Sequence, residues 1–140
     1  MTDVDFNDFN NGIVEEFRAN DGVVGGPFEG APMVLITHTG AKTGAERTSP
    51  LVYSTDGEKV VIIASMGGAP TNPAWFHNIK ANPHVGVEIG TESYSASAEI
   101  LMDGDERQRL FDQHAALMPN FAAYQEKTDR VIPVVVLTRV

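Results

Sequence analysis

Most of the chain between Met33 and Ile100 reads as short β-type runs separated by turn signals, and this pattern restricts the fold more than any other feature. "MVLITH" (33–38) reads as a strand, and "RTSPLVYST" (47–55) as its partner across a Gly-rich turn. Asp56-Gly57 signals a hairpin into "KVVIIAS" (59–65), which is apolar on both faces and therefore expected in a central position. "HVGVEI" (84–89) alternates, Gly90-Thr91 turns, and Tyr94, Ala96, Ala98 and Ile100 alternate again. "VIPVVVLT" (131–138) is a last strand, with Pro133 near its start, where proline is tolerated. Helices flank this pattern and interrupt it once. Phe6, Phe9, Ile13 and Phe17 recur at helical spacing over residues 1–20, with Gly22 able to end the helix and "GGPFEGAP" (25–32) as a connector. "MGGAPTNP" (66–73) is a loop, and "PAWFHNIKAN" (73–82) a short helix with proline in its first turn. Asp103 with Glu106 reads as a capping box opening a helix through Leu110, Phe111, His114 and Leu117, which Pro119 breaks. Runs of strands without βαβ repeats predict an α+β antiparallel barrel of about six strands, five of them in consecutive hairpin-like spacing. The main strands span 33–102, helices 103–127 and the last strand 131–138, with one domain over 1–140 and no internal repeat.

Charge narrows the function. The net charge of −9 argues against nucleic acid, which requires a basic face. Yet residues 31–87 hold four Lys/Arg against three acids, together with His38, His77 and His84, so this segment carries +1 and the rest −10. An anion site in an acidic protein produces such a segment. Buried strand, which excludes charge of either sign, produces it equally well. The absence of cysteine fits a reducing cytoplasm, and the acidic start lacks the basic and then apolar plan of a secretory signal. The longest aliphatic runs, Val60 to Ala64 and Val134 to Leu137, are too short to span a bilayer, so a soluble cytoplasmic protein is expected.

Several chemistries find no motif. There is no P-loop, no G-x-G-x-x-G and no G-x-S-x-G elbow, and the four histidines show no paired ligand spacing, so no metal site is expected. The histidines read as structural or supporting groups. Three stretches remain. In "TGAKTGAERTSP" (39–50), amides around Gly40 to Gly44 can form an anion-binding nest that Lys42 and Arg47 close from either side; a solvated hairpin tip is the plainer alternative. In "ASMGGAPTNPAWFHN" (64–78), a double glycine admits close backbone approach to a flat ligand, beside Trp75 and Phe76, although core packing is the simpler role for Trp75. In "PNFAAYQEKTDR" (119–130), Tyr124 sits in a short helical segment, where it either donates a proton or merely packs. Asp129 and Arg130 read as a surface or structural ion pair.

These stretches, in this order, together with "EEFRANDGVVGGPFEGAP" (15–32), resemble the deazaflavin-dependent nitroreductase family, enzymes that use the reduced coenzyme F-420. The resemblance runs from Ile13 to Val140 and implies a split β-barrel, the FMN-binding-like fold. It implies that Lys42 and Arg47 hold the coenzyme's phosphate, with Ala41 and Thr43 adding backbone and hydroxyl contacts. Thr48, Ser49, Pro50, Leu51 and Val52 would line the next part of the cofactor. Ile63, Ala64, Ser65 and Met66, with Ala74, Trp75, Phe76, His77 and Asn78, would flank the deazaflavin ring. Tyr124 corresponds to the family's active-site tyrosine, and Ser65 lies where members orient ring or substrate. The chain departs from the pattern at Ala41, Ala45 and Glu46, where many members are more basic, and at Phe121, where some carry a second tyrosine.

The implied activity is hydride transfer from reduced deazaflavin to a small-molecule acceptor: a quinone, an activated ene or a nitroaromatic. An FMN-dependent reductase on the same barrel, or a non-catalytic protein binding deazaflavin or a hydrophobic ligand, are the alternatives. A quinone substrate would bring peripheral membrane contact, which Asp3, Asp5, Asp8, Glu15 and Glu16 oppose at an anionic surface. Related split barrels are often homodimers.

Overall fold

The computed structural model describes residues 3–26 and 30–140, with side chains of the first helix from residue 11 onward. The element order is α1 (Asp3–Ala19), β1 (Met33–Thr39), β2 (Glu46–Val52), β3 (Ser54–Asp56), β4 (Lys59–Ile63), α2 (Ala74–Ala81), β5 (His84–Ile89), β6 (Glu92–Leu101), α3 (Gly104–Leu117), α4 (Asn120–Glu126) and β7 (Val134–Arg139). All pairings are antiparallel, in the order β2-β1-β5-β6-β7-β4-β3. The two outermost strands, β2 and β3, are consecutive in the chain and separated only by Tyr53, so the sheet curls until its edges meet along one bent run. That bend divides the expected strand 47–55 in two. Tyr53 N–H leaves the ladder and donates to Pro32 O at 3.1 Å.

Three of the pairings are hairpins, fewer than consecutive spacing suggested. Asp56↔Lys59 and Ile89↔Glu92 close the turns expected from Asp56-Gly57 and Gly90-Thr91. The other three pairings among the described residues, β1 with β5, β6 with β7 and β4 with β7, join strands far apart in sequence. The last strand starts at Val134, not 131, because Pro133 has no N–H for a ladder; its carbonyl instead accepts from Ala64 N at 3.0 Å.

Alternation decides what each face buries. On β1, Val34 and Ile36 enter the barrel core with Val60, Ile62, Val87 and Leu137, whereas Met33 and Leu35 face outward onto Ile13, Val14 and Phe17 of α1. β4 is buried on both faces as expected, with Val61 and Ile63 packing outward against Leu110 and Phe111 of α3. Each such side chain contributes about 1.5–3 kcal/mol. α1 ends where Gly22 N donates to Phe17 O at 2.8 Å. Phe6 and Phe9, like Asp3, Asp5 and Asp8, lie outside the described side chains, and 27–29 of the connector outside the described residues.

The expected capping box does not form. Asp103 occupies the N-cap of α3 without a side-chain bond, and Glu106 pairs instead with Arg109 at 2.6 Å, which also meets Asp56 at 3.0 Å. A doubly paired arginine outcompetes a backbone N–H for that carboxylate. Inside α3, His114 is fully buried with Nδ1 2.7 Å from Ser54 Oγ, and its ring meets Phe121 edge-on at 4.4 Å. Burial pushes its pKa down to about 4, so it is neutral in the fold.

Candidate functional site

The turn between β1 and β2 is closed by its own backbone. Gly40 N donates to Ala45 O at 2.8 Å, Gly44 N to Gly40 O at 2.9 Å, and Ala45 N to Thr43 Oγ1 at 3.3 Å. A side-chain carbon on Gly40 would lie 2.9 Å from Thr43 Oγ1, and Gly44 has φ +73°, so both glycines are needed for this compactness. Ala41 N is also taken, by Asn78 Oδ1 at 2.9 Å. The expected nest is therefore smaller than the sequence suggested, because four of its amides already have partners. Among the described residues, the Lys42 and Thr43 amides are the ones left without one.

The cations are free. Lys42 and Arg47 are exposed and, among the described residues, pair with no carboxylate, whereas Arg18, Arg109 and Arg139 all do. Behind the turn stands His38, at the end of the inward-facing row of β1. Its Nδ1 lies 3.0 Å from Asn78 Nδ2 and its Nε2 2.9 Å from Ser49 Oγ. Burial, reinforced by the Arg47 charge, lowers its pKa to about 4. Sequence reasoning set Asn78 beside a cofactor ring and gave His38 no particular role; the structure joins both to the turn. The one available signal was a histidine in register with the aliphatic Val34 and Ile36 of the same strand. Thr48 Oγ1 lies 3.1 Å from Thr37 Oγ1, and Pro50, Leu51 and Val52 continue β2 half-buried.

A second cluster forms where the segment after β4 meets α4. Ile63 and Ala64 are core, and Ser65 is buried at the start of a 3-10 turn, Met66–Gly68. The Arg130 guanidinium gathers this segment. It donates to Ala64 O at 3.2 Å, Ser65 O at 2.8 Å, Ala69 O at 2.8 Å and Asn72 Oδ1 at 2.8 Å. Arg130 is thus a clamp on a loop some sixty residues away, not the partner of Asp129, which is exposed and forms no ion pair among the described residues. Gly68 has φ +85°, and a side-chain carbon there would sit 2.8 Å from Tyr124 O, so only glycine lets the loop lie against α4. Met66 is also left-handed at φ 47°, with its side chain in solvent. Backbone strain of this kind costs about 1–2 kcal/mol and persists where surrounding bonds impose it.

Tyr124 is half-buried, edge-on to Phe121 at 5.4 Å and under the Lys127 ammonium at 5.7 Å. No acceptor for its hydroxyl occurs among the described residues. α4 is held from below by Gln125, whose Oε1 accepts from Ile132 N at 3.1 Å and from Arg107 Nη2 at 2.9 Å, while its Nε2 donates to Arg130 O at 2.8 Å. α2 connects the two clusters: it follows the clamped loop and carries Asn78 to the cation turn. Trp75 and Phe76 are buried in the core, while Ala74 and His77 are exposed. The arrangement offers two cations without an ion-pair partner among the described residues, and a strained, clamped loop lying against the α4 backbone at Tyr124. It suits a long ligand with an anionic handle.

Comparison with known proteins identifies the family and the fold. The profile described as F420H(2)-dependent quinone reductase matches residues 11–139. An F420H(2)-dependent quinone reductase of Mycobacterium tuberculosis is 41% identical over 126 residues, covering 88% of this chain and 85% of that protein. Among solved structures, an F420-H2 dependent reductase superposes with a TM-score of 0.71 at 41% identity, over 76% of this chain and 94% of the other. A domain-swapped dimer gives the same score and identity over 76% of this chain and 80% of that one. The fold is the α+β split barrel that the resemblance implied.

Proposed function

Because the chain belongs to the F420H(2)-dependent quinone reductase family, we propose that it is an oxidoreductase that takes the reduced coenzyme F-420 and delivers a hydride to a quinone. One observation carries the reading: two cations without an ion-pair partner among the described residues, Lys42 and Arg47, on a tight turn of a chain with net charge −9. The coenzyme's phosphate and polyglutamate tail are multiply anionic, and the turn offers them two cations close together in sequence. When bound, the reduced deazaflavin supplies a hydride from its C5.

The chain's own residues do the rest. Lys42 and Arg47 hold the phosphate, with the Lys42 and Thr43 amides and the Thr43 hydroxyl available beside them. β2, from Thr48 to Val52, leads the ligand along the sheet. The loop at Ser65 and Met66, immobilised by Arg130, gives the ring a fixed wall, so that orientation is set before reaction. Tyr124 donates its Oη hydrogen to the quinone oxygen as negative charge develops there. Activated enes and nitroaromatics are further acceptors under the same geometry. Phe121, which brings a ring edge and no hydroxyl to Tyr124, favours quinones over nitro compounds. Assembly as a homodimer belongs to this reading, motivated by the domain-swapped structure at 41% identity. So does work in the cytoplasm, with contact at a membrane surface where the quinone is lipid-borne.

Titration of the protein with coenzyme F-420 and, separately, with FMN tests the assignment, read through Trp75, the one tryptophan of the chain. Tighter binding of the deazaflavin is expected. Tighter binding of FMN would replace the proposal with an FMN-dependent reductase.

A further inference from the structure

The hydrogen-bond chain behind the cation turn has only one consistent proton arrangement. Ala41 N–H can only donate, so the Asn78 atom 2.9 Å from it must be Oδ1. Asn78 Nδ2 then points at His38 Nδ1, 3.0 Å away, and an amide nitrogen also only donates. His38 Nδ1 therefore accepts, the ring proton sits on Nε2, and Nε2 donates to Ser49 Oγ at 2.9 Å. Having accepted that bond, Ser49 keeps its own hydroxyl hydrogen to give. No protein group takes it among the described residues. Ser49 and Arg47 stand two apart on β2, on the same face of the strand, opposite Ile36 and His38.

We propose that His38 is a positioning residue for anion binding: through Asn78 it ties the turn backbone to α2, and through Ser49 it turns a hydroxyl donor toward the anion held by Arg47. The proposal rests on the reading of that turn as the coenzyme's phosphate site. Burial of the imidazole keeps it in the neutral form that the arrangement requires.

Two conservative substitutions separate the two ends of the ring. His38→Asn leaves an acceptor where Nδ1 stands and removes the donor to Ser49. His38→Gln leaves a donor where Nε2 stands and removes the acceptor for Asn78. Ser49→Ala, on a half-buried strand position, removes that hydroxyl alone. Each variant is titrated with coenzyme F-420 and with its phosphate-free deazaflavin riboside core, and its melting temperature is recorded. All three are expected to bind the full coenzyme about three- to tenfold more weakly, the range for one lost hydrogen bond, while affinity for the core stays within about twofold. Equal losses for coenzyme and core, or no loss in any variant, would overturn the proposal and leave His38 a packing residue. Arg47→Ala run alongside keeps the premise separate. If that variant binds the coenzyme like the native protein, the turn is not the phosphate site and both readings fail together. If it binds weakly while the His38 and Ser49 variants do not, only the role of His38 fails.

Discussion

At the scale of single residues, the proposed function gives Lys42 and Arg47 the cofactor's phosphate and Tyr124 the proton donation to the quinone. Arg47 is exposed and contributes no ion pair among the described residues. Arg47→Ala should therefore leave the melting temperature nearly unchanged and weaken coenzyme binding by about ten- to a hundredfold, the loss of one charge-assisted contact of roughly 1.5–3 kcal/mol. A fold that collapses while affinity holds would make Arg47 structural. Tyr124→Phe keeps the ring against Phe121 and removes only the hydroxyl. Single-turnover hydride transfer at saturating coenzyme should slow about tenfold in this variant, less than in a closed oxyanion site because Tyr124 is half open to solvent. An unchanged rate would leave it as a wall. The glycine turn carrying Lys42 and Arg47 was legible as a turn because it is a local pattern, whereas Tyr124 was singled out as an active-site residue only by the resemblance. Arg130 was misread for the opposite reason. Its neighbour in sequence is an acid, but its partners are carbonyls at Ala64, Ser65 and Ala69, and no local pattern records a partner sixty residues away.

At the scale of elements, α4 and the 3-10 turn at Met66–Gly68 act as one unit. Gly68→Ala puts a side chain on a left-handed backbone, costing about 1–2 kcal/mol, and drives a carbon to 2.8 Å from Tyr124 O. The α4 backbone has to move, so thermal melting should drop and hydride transfer should slow in the same variant. Normal turnover at reduced stability would show that the loop and Tyr124 do not act together. Helix existence was readable from periodicity and from Pro119, and the hairpin turns from their glycines. The capping box at α3 was not, because its glutamate answers to Arg109 and, through it, to Asp56 on a different element. Nor was the bend at Tyr53, which depends on the sheet curling on itself and on Pro32 accepting the freed N–H.

At the scale of the whole molecule, two buried neutral histidines tie stability to pH. His38 and His114 are held at about 4 in the fold against 6.5 in the unfolded chain. Between those values the unfolded chain binds more protons, so the stability that neutral burial confers is complete above about pH 6.5 and is lost as pH falls toward 4. For each histidine, every pH unit between its unfolded and folded pKa corresponds to about 1.4 kcal/mol. Melting temperature should fall from pH 7 to pH 5, and less steeply in His114→Leu; an unchanged slope would remove His114 from the account. The barrel class was legible because short alternating runs with turn signals leave few alternatives. The pairings of β1 with β5 and β4 with β7 were not, since alternation states which face a strand buries and not which strand it meets. No helix among the described residues is long and apolar enough to cross a membrane. The most direct test is the oxidation of reduced coenzyme F-420 by a soluble naphthoquinone, followed through the deazaflavin absorbance. The expected rate is proportional to protein and saturable in both reactants, with KM for the coenzyme raised in Arg47→Ala at nearly unchanged kcat. Reduced coenzyme that binds yet stays reduced in the presence of the quinone would contradict it.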